Sequence, residues 1–161
     1  VDPRLTQLYC NDPDAVNFNW NFPGTPDSSV CFYPTDVFAG TYELKDSVYF
    51  DSSHLFIQAN TFYITIQKHT KTKMAILGLC LNGGSVLLTA RPNFSATLDT
   101  MVGDSTSKIM GQRICDLADT INGSLSKDQL NDSIIYFSLR ISSDSGLITN
   151  HIGRAKLKFK K

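Results

Sequence analysis

Apolar and polar residues alternate with a period of two over most of this chain, the signature of strands with one buried face. From Thr41, the residues Tyr42, Leu44, Val48 and Phe50 share one parity, against Glu43, Lys45 and Ser47 on the other. Asp51-Ser52-Ser53 predicts a turn, His54 to Gln58 a short strand, and Ala59-Asn60 a break. A further strand follows, with Phe62, Ile64 and Ile66 inward and Tyr63, Thr65 and Gln67 outward. Lys68 to Lys73 is a polar, basic turn. Met74 to Leu81 is almost wholly apolar, as a strand covered on both sides would be. Asn82-Gly83-Gly84 accepts the positive φ of a hairpin turn, with Ser85 to Ala90 as the returning strand and Arg91-Pro92 as its end. Near the C-terminus Ile135, Phe137, Leu139 and Ile141 share a parity. In a last strand Ala155, Leu157 and Phe159 face inward, and Arg154, Lys156 and Lys158 outward.

One stretch departs from this period. Ile109, Ile114, Leu117, Ala118 and Ile121 fall mostly on one helical face, with Asp104 or Ser105 as N-cap and Asn122-Gly123 as the stop. The spacing predicts a helix over about 105–121, and Ser126-Lys127-Asp128-Gln129 a brief second helical turn. Residues 1–37 hold five of the six prolines and five aspartates, so they read as a loop-rich segment. Within it Phe18, Trp20 and Phe22 alternate with Asn19 and Asn21, as in a short strand with an aromatic face. The expected fold is mainly β: an antiparallel β-sandwich or barrel-like meander with one helix packed on it. The expected organisation is a single domain over 1–161, with 1–37 as a stapled N-terminal segment and 38–161 as the meander.

Composition supports that class. Fourteen Asp stand against a single Glu, Glu43, and Ser plus Thr number thirty, which favours turns and caps over helices. A chain of 161 residues is long enough to bury ~70 % of its unfolded surface, so disulfides would support the core without replacing it. The formal net charge of zero argues against nucleic acid as a partner. No apolar run reaches the ~18 residues of a membrane-spanning helix, so membrane insertion is not expected.

Cys10, Cys31, Cys80 and Cys115 form no CxxC pair, and no histidine lies at ligand spacing from them. Two disulfides, Cys10–Cys31 and Cys80–Cys115, are the expected pairing, since each closes a local loop; buried reduced thiols are the alternative. Disulfides imply secretion, and Val1-Asp2-Pro3 does not resemble a leader, so a secreted chain is expected to be already processed. Asn93, Asn122 and Asn131 begin glycosylation sequons, of which about two would arise by chance in this composition.

Chemistry is sparse. His54, His69 and His151 are far apart and GxSxG is absent, so no nucleophile has a positioned base. Asp116 and Asp119 lie side by side on the expected helix, where they cannot oppose each other across a substrate. Gly83-Gly84 opens a strand, where a phosphate loop would open a helix. No catalytic residue, metal or cofactor is assigned, and an enzyme is not expected. Two basic clusters remain: Lys68, His69, Lys71 and Lys73 in a turn, and Arg154, Lys156, Lys158, Lys160 and Lys161 at the C-terminus. They could contact an anionic protein or glycan, or the alternating lysines could blunt an exposed strand edge. Trp20 is a further candidate contact, or part of the core.

The expected function is a secreted, non-catalytic recognition module that binds a protein or glycan through loops or the basic edge. The alternative is a lipocalin-like barrel carrying a small apolar ligand. Gly40-Thr41-Tyr42 echoes the Gly-x-Trp opening of lipocalins, lacks its tryptophan and comes late in the chain; no resemblance is drawn from it. Period-two alternation is common to sandwich and barrel, so the pattern leaves both open.

Overall fold

The structure, a computed structural model, describes residues 3–19, 23–79, 85–100, 112–113, 119–143 and 147–159. Alternation decides the architecture. In β3 (Gly40–Phe50), Tyr42, Leu44 and Val48 point into the core, and in β4 (Phe56–Lys68) Ile64 and Ile66 do the same. Strands β5 (Lys73–Leu77), β6 (Ser85–Arg91) and β7 (Ser95–Leu98) continue the meander. They are followed by β9 (Thr120–Lys127), β10 (Ile134–Ser142) and β11 (Ile148–Phe159). The antiparallel order β10-β11-β3-β4-β5-β6-β7-β9 returns to β10, because β9 and β10 also pair, with Leu139 opposite Gly123. Eight strands therefore close a barrel, which decides between the two architectures that the alternation left open. Closure removes the sheet edges that a sandwich must leave.

A short strand, β8 (Gln112–Arg113), pairs with the first residues of β9 beyond the end of β7. The Gln112 amide continues the ladder with its side chain. Its Oε1 accepts from Leu87 N at 3.1 Å, and its Nε2 donates to Leu87 O at 2.7 Å.

These strands overturn part of the helix expected over 105–121. Of the described residues there, Gln112–Arg113 and Thr120–Ile121 are strand and Asp119 leads into β9, while 105–111 and 114–118 lie outside the described residues. Ile121 and Leu125 are core residues of β9. A spacing of four satisfies both a helical and a two-residue period, so Ile121 could not discriminate. The second helical turn is also absent: Ser126 and Lys127 pair with Tyr136 and Ile135, and Asp128 then caps a turn by accepting from Leu130 N and Asn131 N. Ala59-Asn60 does not break a strand either, since β4 runs through it opposite Ser47 and Asp46. The Asn82-Gly83-Gly84 turn lies outside the described residues.

The N-terminal segment folds across one end of the barrel. It contains two 3-10 turns, Pro3–Thr6 and Ser28–Val30, and a two-residue parallel pairing of β1 (Leu8–Tyr9) with β2 (Thr25–Pro26). Cys10–Cys31 is a disulfide, as expected; Cys80 and Cys115 lie outside the described residues. Phe18, expected on a buried face, is 38 % exposed and makes only an isolated bridge to Cys10, while Trp20 and Phe22 lie outside the described residues.

The one described helix, α1 (Pro34–Phe38), follows this segment and was not signalled by periodicity, because five residues are too few to show one. Pro34 presets its first turn and Asp36 accepts from Tyr33 N at 3.0 Å. Val37 and Phe38 enter the core, packing against the strand ends. The carbonyls left free at the end of the helix are taken by the barrel: Tyr42 OH donates to Phe38 O at 2.7 Å, and Lys127 Nζ to Val37 O at 2.9 Å. Burial raises the Tyr42 phenol far above its ordinary pKa, so it stays a donor.

Candidate functional site

The helix-covered end of the barrel bears a cleft of about 750 Å³. Phe32 and Val37 form one side, from the segment that crosses the end. Phe94, in the β6–β7 turn, and Leu157, near the end of β11, contribute further apolar surface. Lys127, Asp128, Gln129 and Asp132, from the β9–β10 connection, supply polar groups. Val37 is core, whereas Phe32 and Phe94 are partly exposed, so the cleft has an apolar floor and accessible aromatic walls. Phe94 is held there by a left-handed backbone, φ 62°, where its carbonyl accepts from Lys127 N at 2.9 Å.

The polar groups are already ordered. Asp128 accepts from Tyr136 OH at 2.7 Å, besides its two turn amides. Led by the Tyr136 hydroxyl, these bonds hold the Asp128 carboxyl below its ordinary pKa. The cleft thus keeps a negative charge at its rim at neutral pH.

The basic turn assigned to a partner is engaged within the chain. Lys68 pairs with Asp36 at 2.8 Å, Lys71 with Asp12 at 2.6 Å, and Lys73 with Asp99 at 3.1 Å. The ammonium groups of Lys68 and Lys71 also lie 5.3 and 5.1 Å from the Tyr33 ring centre. The Lys68 and Lys71 contacts lock the N-terminal segment and α1 onto the β4–β5 turn, adding to the Thr35 hydroxyl bond to Thr70 O at 2.8 Å.

Arg154, Lys156 and Lys158 lie exposed on the outer face of β11. That strand pairs with β10 on one side and β3 on the other, so edge protection is corrected as an explanation for them. Lys160 and Lys161 lie outside the described residues. The two basic clusters are therefore separate: one forms internal ion pairs, and the other is an outward stripe.

Of the sequon asparagines, Asn93 and Asn131 sit exposed in turns, whereas Asn122 is half-buried in β9 opposite Arg140. Asp119 is described and precedes β9; Asp116 lies outside the described residues. His54 and His69 occupy turns at opposite ends of β4, so the histidines do not converge.

His151 does find partners, which the residue pattern had not indicated. On the inner wall its Nδ1 lies 2.7 Å from Asp46 Oδ2, and its Nε2 lies 3.2 Å from Thr149 Oγ1. The His151 and Asp46 side chains are only 17 % and 10 % exposed. A carboxylate accepts only, so Nδ1 donates to Asp46. Among the described residues no group of three metal-ligating side chains converges.

No family model matches this chain, and no curated protein matches it. Three solved structures are similar in part. "EF1p2_mFAP2b bound to DFHBI" is 11 % identical with a TM-score of 0.49, over 78 % of this chain and 97 % of that one. A mutant of the vaccine antigen Transferrin Binding Protein B (TbpB) from Haemophilus parasuis Hp5 is 14 % identical with a TM-score of 0.38. A multidomain protein including DUF1735 from Bacteroides ovatus is 10 % identical with a TM-score of 0.39. The matches cover 80 and 85 % of this chain, but 29 and 60 % of those two proteins. No function is carried from them to this chain.

Proposed function

We propose that this barrel binds a small, largely apolar ligand in the cleft at its helix-covered end. The observation that carries the reading is the cleft itself: about 750 Å³ with Phe32, Val37, Phe94 and Leu157 on its walls. Ligand sites commonly enclose ~300–1,000 Å³, with apolar walls and a few fixed polar groups. Lys127 and Asp128 are such groups, each held by bonds to the chain. The barrel interior is occupied by Tyr42, Ile64, Ile66, Met74, Leu88 and Ile135, so the ligand sits at the end of the barrel and not between its walls.

Thermal shift and fluorescence displacement against fatty-acid and retinoid mimics test this reading. Saturable binding that weakens at least ~10-fold in F32A/F94A is the expected result, because those two rings supply most of the accessible apolar wall. Binding indifferent to both substitutions, or no binding across the panel, overturns it.

A secreted recognition module remains the second reading, carried by the exposed outer stripe of Arg154, Lys156 and Lys158. Its contact would be an anionic protein or glycan. K156E/K158E should abolish salt-sensitive retention on a sulfated-glycan resin if the stripe is the contact. Retention unchanged by the reversal removes it.

A further inference from the structure

The outer face of the barrel carries a second hollow, of about 480 Å³, where β3, β10 and β11 run side by side. Its shape follows from two rows of side chains that the register sets next to each other. In one row Ser138 lies opposite Ile152, and Ile152 opposite Ser47, so a half-exposed isoleucine stands between two short side chains. In the next row Arg140 lies opposite Asn150, and Asn150 opposite Tyr49, all of them longer. Asp51 and His54, from the turn after β3, close the end of the hollow. His54 takes a left-handed backbone there, φ 57°, and its N–H donates to Phe50 O at 2.9 Å.

The polar groups of the hollow are fixed in place and only partly used. Asp51 is held from two sides: its Oδ1 accepts from Asn150 Nδ2 at 3.1 Å, and its Oδ2 from Arg140 Nη2 at 3.3 Å. That one bond leaves the other guanidinium N–H groups of the exposed Arg140 available. Among the described residues, none bonds to the Tyr49 or Ser138 hydroxyl, the His54 ring or Asn150 Oδ1. The Tyr49 ring is braced by an edge contact with Phe56, with centroids 5.7 Å apart and planes at 67°. Donors and acceptors thus surround an apolar patch made by this ring and Ile152.

We propose that this hollow binds a neutral saccharide, seating one pyranose ring. Charge decides against an ionic ligand. Among the described residues lining the hollow, Arg140 and Asp51 carry charge at neutral pH and offset each other, so an anion drawn to one meets the other, and a cation likewise. A purely apolar ligand would strand the hydroxyls, the amide and the guanidinium. A pyranose meets both demands. Its C–H face suits the electron-rich face of the Tyr49 ring and the Ile152 side chain beside it. Its neighbouring hydroxyls donate and accept, which matches the Asp51 carboxylate, Asn150 Oδ1 and the planar fork of Arg140. The volume falls within the ~300–1,000 Å³ of small-ligand sites. The hollow shares no residue with the apolar cleft, so neither reading depends on the other.

Amide NMR titration of the whole chain with the methyl glycosides of glucose, galactose, mannose and N-acetylglucosamine reads this directly. At least one should bind saturably, with a Kd on the order of 1 mM, and shift the amides of Tyr49, Ser138, Arg140 and Asn150. Ser138→Phe fills the dip beside Ile152, and Arg140→Met removes the guanidinium; each should weaken binding at least ~10-fold. Ser138 and Arg140 are exposed, so both variants should melt close to the wild type. F32A/F94A alters the cleft alone and should leave the sugar affinity unchanged. No binding across the panel, shifts confined to Phe32 and Phe94, or an affinity unchanged in either S138F or R140M overturns the proposal. Glucose 6-sulfate binding at the same amides at least ~10-fold more tightly than methyl glucoside would assign the hollow to an anion, and overturns it equally.

Discussion

Asp46 and His151 meet on the inner wall of the barrel, Oδ2 to Nδ1 at 2.7 Å, although 105 residues separate them along the chain. Their strands are neighbours: Asp46 lies opposite Gly153, and Val48 opposite His151, so the two side chains reach each other diagonally on one face. Gly153, between them in register, is closed to a larger residue by the core, since a Cβ there would lie 2.8 Å from a Leu44 methyl. Removing one partner leaves the other polar and largely buried. His151→Leu should therefore cost ~1–3 kcal/mol in urea unfolding, and Asp46→Leu a similar amount. D46L/H151L should cost clearly less than the sum, because neither polar group is then stranded. Strict additivity would mean the pair contributes nothing jointly.

The Cys10–Cys31 bridge closes a loop of about twenty residues and ends immediately before Phe32, a wall of the cleft. In the chain-entropy model a loop of that length contributes ~3 kcal/mol. Cys31→Ser should lower stability by an amount of that order and loosen Phe32, weakening ligand binding more than it shifts the far-ultraviolet spectrum of the barrel. Calorimetry and a binding titration on the same sample separate the two effects. Equal affinity in oxidised and C31S protein would mean that the bridge does not position the cleft wall.

Acid should release the N-terminal segment before it opens the barrel. Lys71 above all, with the Asp14 amide and Tyr33 hydroxyl, lowers the Asp12 carboxyl from 3.8 to about 2. A depressed acid contributes stability that is complete above its unfolded pKa and is lost as pH falls through its folded one. The contribution of Asp12 is thus present at neutral pH and disappears between about pH 4 and pH 2. Limited proteolysis with an acid-active protease should cut residues 11–33 increasingly over that interval. Lys71→Met should bring the cutting on at higher pH. An identical profile in K71M would leave the Lys71–Asp12 contact without a role in docking.

Gly123 has φ 146° in β9, and a Cβ on it would fall onto the Ser138 carbonyl oxygen and 2.8 Å from Leu139 Cα. Both are backbone atoms of the paired strand and cannot move aside without separating β9 from β10. Gly123→Ala should therefore destabilise by more than ~3 kcal/mol or abolish soluble expression, whereas Ser124→Ala, exposed on the same strand, should change little. A G123A protein with a wild-type melting temperature would contradict the close approach of these strands.

Local periodicity determined strands such as β3 and β10, though not β9, because alternation is a property of neighbouring residues and needs no tertiary partner. Tyr42, Leu44 and Val48 marked the inner face of β3, and Ile135, Phe137 and Leu139 that of β10; each set is buried. Asp46 shares the parity of that first set, so the sequence placed a carboxylate among inward positions. It did not indicate that His151 answers it, since diagonal neighbours on β3 and β11 are set by register. Reading the last strand from Arg154 alone also hid Thr149 and His151, which share the parity of Ala155 and Leu157. The alternating lysines of β11 looked like an edge because charge on a strand's outward face is the same whether or not the strand has neighbours. Only the pairing of β11 with β10 on one side and β3 on the other decided that it is interior to the sheet. The cleft belongs to the same level: Phe32, Phe94, Lys127 and Leu157 are brought to one barrel end by topology, and no spacing along the chain records that meeting.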